Sequence, residues 1–246
     1  MAAKTRKDSI YVIHEGYREG YFLEHLEKYS KVRLNLHHCN GGSANQIVSN
    51  GIKYSARDVN VYVFFDEDFE SKPEYTISDE TMEGLEIAWK SNNTLKGCAY
   101  RNLHTFNKEF RNPILIVSFP HSIEGLLLRL IGISIQELEG KNTKYLKNRI
   151  DGYLNNISLN NEDSEKLKSY DKKISRYSDE IVKLQKNEPY KKNQCRFLEE
   201  KIKECDRNKN KVTFMRFLCD KLPLPVIAAK RVEIPEMDIL LKAFGL

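Results

Sequence analysis

No two of the five cysteines, Cys39, Cys98, Cys195, Cys205 and Cys219, form a C-x-x-C pair. That weighs against a zinc ribbon or a thioredoxin-like redox centre. With no signal peptide ahead of them, the expectation is reduced thiols in a cytoplasmic protein. His37-His38-Cys39 has metal-binding residue types. Neighbours on a strand point to opposite faces, however, and no second ligand pair follows, so zinc is not expected there. No apolar run approaches the ~20 residues that span a bilayer, so a membrane role is not expected. Excess charge of one sign is also lacking. The 40 Lys and Arg against 35 Asp and Glu leave a net +5, which permits a polyanionic partner without requiring one. There is no internal repeat, and 246 residues suffice for one generous domain or two modest ones with a sizeable core.

What is present begins with Ile10–Phe22, IYVIHEGYREGYF. Ile10, Tyr11, Val12 and Ile13 are uncharged strand formers, which suits a strand buried on both faces of a parallel sheet. Glu19 to Tyr29 then predicts an amphipathic helix with Tyr21, Phe22, Leu26 and Tyr29 inward. Val32 to His37 alternates as a half-exposed second strand, and Ser43 can cap a helix from Ala44 to about Tyr54. Val59 to Phe65 is the most apolar strand and stops at Asp66-Glu67-Asp68. Helices are expected at Asp79–Lys90 and Leu103–Phe110, a fourth strand at Ile114–Val117, and an apolar helix from Gly125 to Ile131 after Glu124. Strands alternating with helices predict a parallel, doubly wound α/β sheet over residues 8–135. Glu15, Asp66–Asp68 and Glu124 then fall at or just past strand ends on one edge, where open α/β sheets place their active sites.

Beyond Ile135 the composition shifts, with roughly 19 basic against 12 acidic residues between Lys141 and Lys211. Tyr170, Ile174, Tyr177, Ile181 and Leu184 recur at alternating spacings of four and three, as do Cys195, Leu198, Ile202 and Cys205 after Asn187-Glu188-Pro189. Heptad spacing on both sides of a proline predicts an antiparallel helical hairpin at about 162–211, within a mainly helical region 136–246. It can pack on itself or on a second copy, making the protein a homodimer. Alternatively it can grip nucleic acid through Lys172, Lys173, Lys191 and Lys192, with interleaved tyrosines for stacking. Val212–Leu222 resembles a core helix, Leu224–Val232 reads as a closing strand, and Met237–Phe244 as a terminal helix, with Ser158–Glu165 prone to disorder.

The acids suggest phosphoryl-transfer chemistry. Mg²⁺ takes hard oxygen ligands, usually one or two carboxylates with water and substrate phosphate completing the octahedron. Asp66 and Asp68, two apart, can converge on one cation just past a strand end, and Glu124 can complete a second position. Glu15, left out of the metal shell, can move a proton at the attacking or leaving oxygen.

E-G-x-x-E-x-Y-F (Glu15, Gly16, Glu19, Tyr21, Phe22), F-D-E-D (Phe65–Asp68) and S-F-P-H-S-I-E-G-L-L-L-R-L (Ser118–Leu130) resemble the Toprim domain of the RloB/AbiLii group. More distantly they resemble the Toprim effectors of the PARIS and OLD-type phage-defence systems. The resemblance implies a Toprim, Rossmann-like fold for residues 8–135. It also implies Glu15 as general acid/base, Asp66 and Asp68 as ligands of Mg²⁺ (or Mn²⁺), and phosphodiester cleavage in a nucleic acid. It further implies an abortive-infection effector acting on RNA, tRNA in particular, with a partner ATPase. An OLD-like DNA nuclease and a catalytically idle Toprim interaction module remain alternatives.

Overall fold

The computed structural model describes residues 9–39, 47, 50, 51, 54, 60–66, 75–76, 94–95, 114–118, 120, 122–138, 140–188 and 190–246. The chain divides into two compact units, residues 1–152 with 221–246, and residues 153–220.

In the first unit, strand β1 (Ser9–His14), helix α1 (Tyr17–Glu27) and strands β2 (Arg33–His38) and β3 (Val61–Asp66) come first. Two short strands follow, β4 (Tyr75–Thr76) and β5 (Thr94–Leu95), paired with each other. Strand β6 (Ile114–Ser118) then leads through Ser122 into helix α2 (Ile123–Leu130), with α3 (Ile135–Leu138) and α4 (Thr143–Asn155) after it. The four longer strands form one parallel sheet in the order β2-β1-β3-β6. From β1 the chain crosses to β2 on one side and later to β3 on the other, so the direction of winding reverses between β1 and β3. A crevice opens at the carboxyl ends of the strands at such a reversal.

The apolar runs explain the sheet. Val12 and Ile13 of β1, and Val61 to Phe65 of β3, are all buried. A strand covered on both faces can hold this many apolar side chains, each contributing about 1.5–3 kcal/mol on burial. Phe22, Leu23 and Leu26 of α1 and Leu126, Leu127, Leu128 and Leu130 of α2 are buried as well. Gly125 is required at its position, because a Cβ there would meet the Pro120 carbonyl oxygen at 2.0 Å. The end of the chain belongs to this unit too, with α7 (Leu224–Ala229) and α8 (Pro235–Ala243) burying Ile227, Ile234, Met237, Leu240, Leu241 and Phe244.

The second unit contains α5 (Asn161–Asn187) and most of α6 (Lys192–Lys221). Asp171 and Lys209, nearly equidistant from the turn at 188–191, form an ion pair of 2.5 Å. The two helices are therefore antiparallel. Leu184, Leu198 and Cys205 are buried, in keeping with the heptad spacing.

Several expectations are corrected. Helix α1 starts at Tyr17, with extended Gly16 as its N-cap, and ends at Glu27. Its inward stripe is Glu19, Phe22, Leu23 and Leu26, at i, i+3, i+4 and i+7, whereas Tyr21 is half-buried and Tyr29, beyond the cap, is 39% exposed. The core helix expected at Val212–Leu222 is present as the last part of α6, with Phe214, Phe217 and Leu218 buried; neither proline nor glycine interrupts Lys192–Lys221, so the helix runs through. Leu224–Val232 is not a strand; Pro223 and Pro225 sit at the cap and in the first turn of α7, where a missing N–H costs nothing. The disorder-prone Ser158–Glu165 is ordered from Asn161 on, because the Asn160 side chain caps the Asp163 N–H at 2.7 Å. Ile47, Asn50, Gly51 and Tyr54 are helical, in line with the helix expected at Ala44–Tyr54. The helices expected at Asp79–Lys90 and Leu103–Phe110 lie outside the described residues. Among the described residues, no helix is long and apolar enough to cross a membrane.

Candidate functional site

Acidic side chains meet where the sheet winding reverses. Glu15 follows the last residue of β1 and Asp66 ends β3, so parallel pairing brings them side by side. The Asp66 N–H donates to Glu15 Oε2 at 3.3 Å, and Asp66 Oδ1 accepts from the Ile123 N–H, at the start of α2, at 2.8 Å. Asp66 thus caps α2 across the sheet, where the helix dipole favours an anion. Ser122, the N-cap by position, makes no side-chain capping bond. Glu124 enters from the first turn of α2 and Glu19 from α1, both buried.

Gly16 lets Glu19 fold back: a Cβ there would lie 2.6 Å from the Glu19 carboxylate. Burial, with the charges of Glu124 and Glu15, raises the Glu19 pKa to about 7. Asp66 is pushed well above the usual carboxylate range by burial and by Glu19, Glu124 and Glu15, against the opposing hydrogen bond from Ile123. Crowding and burial thus favour the protonated form of Glu19 and Asp66.

Arg18 partly neutralises the cluster. Its guanidinium donates to Glu124 Oε1 at 2.8 Å and to Asp151 Oδ1, on α4, at 2.5 Å. Glu124 Oε2, Ser118 Oγ and Ser122 Oγ are buried with no hydrogen-bond partner among the described residues. Buried polar oxygens of this kind are commonly met by an ordered water or an ion. Hard oxygen donors beside Asp66 fit Mg²⁺ with water better than a softer metal.

Aromatic and imidazole rings occupy the β2 side of the same edge. His14 and His38 pair in register across β1 and β2, with ring centroids 5.2 Å apart. His14 donates through Nδ1 to the Gly16 carbonyl at 2.9 Å, and burial lowers its pKa to about 4, so it is neutral at pH 7. Tyr17 lies 4.3 Å from His38, centroid to centroid. The Cys39 thiol accepts from Asn50 at 3.4 Å and is raised by burial, unlike the thiolate of a metal centre.

The structure therefore brings together Glu15, Asp66 and Glu124. Asp68 lies outside the described residues, and among those described no three His, Cys, Asp or Glu side chains form a metal-holding group. The basic residues on the hairpin do not form one cluster. Lys172 and Lys173 are exposed in mid-α5, whereas Lys191 and Lys192 sit at the turn, roughly 25 Å further along a helix rising 1.5 Å per residue. Lys191 is paired with Glu188, and Lys192 lines a 560 Å³ surface hollow with Gln185, Glu188, Cys195, Arg196 and Glu199. Sequence reasoning missed the Arg18–Asp151 link. Asp151 sits in a helix with no acidic motif, and only tertiary contact reveals the pair. Compared with protein-family models, curated proteins and solved structures, the chain has no significant match.

Proposed function

We propose that this is a Mg²⁺-dependent nuclease of Toprim type that cleaves phosphodiester bonds in nucleic acid. The observation that carries the reading is the meeting of Glu15, Glu19, Asp66 and Glu124 at the β1/β3 reversal. Asp66 and Asp68 would hold the metal, with Glu124 at its edge, and Mn²⁺ would serve in its place. Bound there, the cation would offset the phosphate's negative charge and polarise its oxygens. Glu15 is the proton carrier: half-buried and oriented by the Asp66 N–H, it takes a proton from the attacking water or returns one to the leaving oxygen. Arg18, anchored by Glu124 and Asp151, orients Glu124 and adds positive charge to a rim that would otherwise repel a polyanion.

The substrate class that fits best is RNA, tRNA in particular, cut by a cytoplasmic effector of an abortive-infection system. It would work as a homodimer with a partner ATPase. The basic bias of residues 153–220, 16 Lys and Arg against 12 Asp and Glu, supports a polyanionic partner for the hairpin.

The test is cleavage of total tRNA and of plasmid DNA by wild type and Glu15→Ala, with Mg²⁺ or EDTA. Metal-dependent cuts that fall at least ~100-fold in the variant are expected, with folding unchanged by circular dichroism. Equal cutting by both proteins would overturn the assignment. Metal-dependent cutting of plasmid alone would favour an OLD-like DNA nuclease. Silence from both, with stable binding to a second copy or to an ATPase, would favour an idle Toprim interaction module.

A further inference from the structure

The guanidinium of Arg18 is shared between two carboxylates of unequal standing. Glu124 accepts from one terminal nitrogen at 2.8 Å, and its side chain is 3% exposed. Asp151 accepts from the other at 2.5 Å, and its side chain is 48% exposed. Both belong to the first unit, Glu124 in the first turn of α2 and Asp151 on α4. Breaking the inner contact would strand a buried charge, whereas breaking the outer one returns a carboxylate to water. The bridge therefore has a firm end and a loose end. The firm end adjoins the acidic rim, since Glu124 directly follows Ile123, whose N–H holds Asp66 at 2.8 Å.

We propose that Arg18 is a ligand for a backbone phosphate of the substrate, and that Asp151 is a stand-in which the phosphodiester displaces. The inference rests on the nuclease reading, and it adds the residue that grips the nucleic-acid backbone. A guanidinium donates to carboxylate and phosphate oxygens in the same fork geometry, so one anion can replace the other without rebuilding the site. The exchange sets one cation against two anions both before and after, and the charge balance of the bridge is kept. The contact to Glu124 persists and holds the guanidinium in place while its outer partner changes. A phosphate contact carries no base identity, so Arg18 fixes the position of the strand and not its sequence.

The exchange predicts tighter binding when a contact is removed, which a purely structural bridge does not. Fluorescein-labelled tRNA and a labelled DNA duplex are titrated in Mg²⁺ with Glu15→Ala protein, alone or with Asp151→Ala, Glu137→Ala or Arg18→Gln added, and read by anisotropy. Glu137 is the matched control, because its side chain is also 48% exposed and also hydrogen-bonded to an arginine, Arg149 at 3.1 Å. Asp151→Ala should tighten binding about 2- to 5-fold, the worth of an exposed ion pair, and Glu137→Ala should leave it unchanged. Arg18→Gln should weaken binding at least ~10-fold, and adding Asp151→Ala to it should restore nothing. Binding that is weaker or unchanged with Asp151→Ala would overturn the exchange. So would equal tightening by Glu137→Ala, which would reduce the effect to bulk charge, or binding of neither nucleic acid. Should circular dichroism show that Arg18→Gln does not fold, the comparison of Asp151→Ala with Glu137→Ala still decides. The nuclease reading is judged separately, from cleavage by wild type against Glu15→Ala. Glu15-dependent cutting without tighter binding by Asp151→Ala removes the exchange alone.

Discussion

At the sheet rim, Glu19 and Asp66 are buried among other carboxylates, and both pKa values are pushed up. Along the hairpin, Glu162, Glu188 and Glu204 stand in water beside Lys166, Lys191 and Lys201, and all three are pulled down by those hydrogen-bonded partners. The residue types are the same and the behaviour is opposite. On the hairpin a charge is solvated and paired within a helical turn, at i+3 or i+4, so its presence says little beyond solubility. At the rim, like charges are forced together out of water by strands that must end there. Such crowding is unstable unless a cation, a proton or Arg18 offsets it. Concentrated, costly charge is the mark of a site; dispersed, paired charge marks a surface.

Burial is the variable in this comparison, and a buried pair remote from chemistry sharpens it. Arg129 and Glu236 join α2 to α8 at 2.7 Å, with side chains 10% and 2% exposed. Removing Glu236 takes the carboxylate away from a guanidinium that is itself buried, so Glu236→Ala is expected to lose about 3–5 kcal/mol in urea denaturation. A loss no greater than that of an exposed hairpin pair would show that burial is not the deciding factor.

The pH dependence gives the next effect. His14 holds its pKa near 4, against an ordinary 6.5. Below pH 6.5 the unfolded chain takes up a proton that the folded one refuses, so this stability is lost as pH falls from 6.5 toward 4. His25, lowered by burial, acts in the same direction. Glu19, held near 7 against an ordinary 4.5, has the opposite sign. The folded chain keeps its proton up to about pH 7, and that stability is lost as pH rises through the same window. Asp66 is pushed up as well and acts in the same direction, so Glu19→Gln removes only Glu19's share of the second trend. The variant should therefore lose about 2 kcal/mol more than wild type between pH 7 and pH 5. Parallel curves for the two proteins would mean that the rim carboxylates do not titrate as a buried group.

The smallest effect is expected on the hairpin. Lys172→Glu with Lys173→Glu should weaken RNA binding uniformly across sequences. The slope of log affinity against log salt should drop by about one for each phosphate no longer neutralised. Lys191→Glu should do less, because its ammonium is already engaged by Glu188. Unchanged slopes would make the hairpin an assembly element.

The strands, the acidic strand ends and the helical hairpin were legible in the sequence because each depends on short-range pattern. Uncharged runs such as Val61–Phe65 can settle only between two covered faces, and heptad spacing on both sides of Pro189 leaves few alternatives to a hairpin. Glu19 was visible as a letter of the E-G-x-x-E motif, but its burial depends on the carboxylate folding back over Gly16. The segment Leu224–Val232 misled because two prolines read as strand-edge punctuation while serving as the start of a helix. Tertiary structure alone decided three things: that winding reverses between β1 and β3, that Asp66 caps α2 across the sheet, and that Arg18 joins Glu124 to Asp151 across 106 and 133 residues of chain. The physical reason is range. Propensity and periodicity act over a few residues, whereas the energy of a charge depends on every group that packing brings near it.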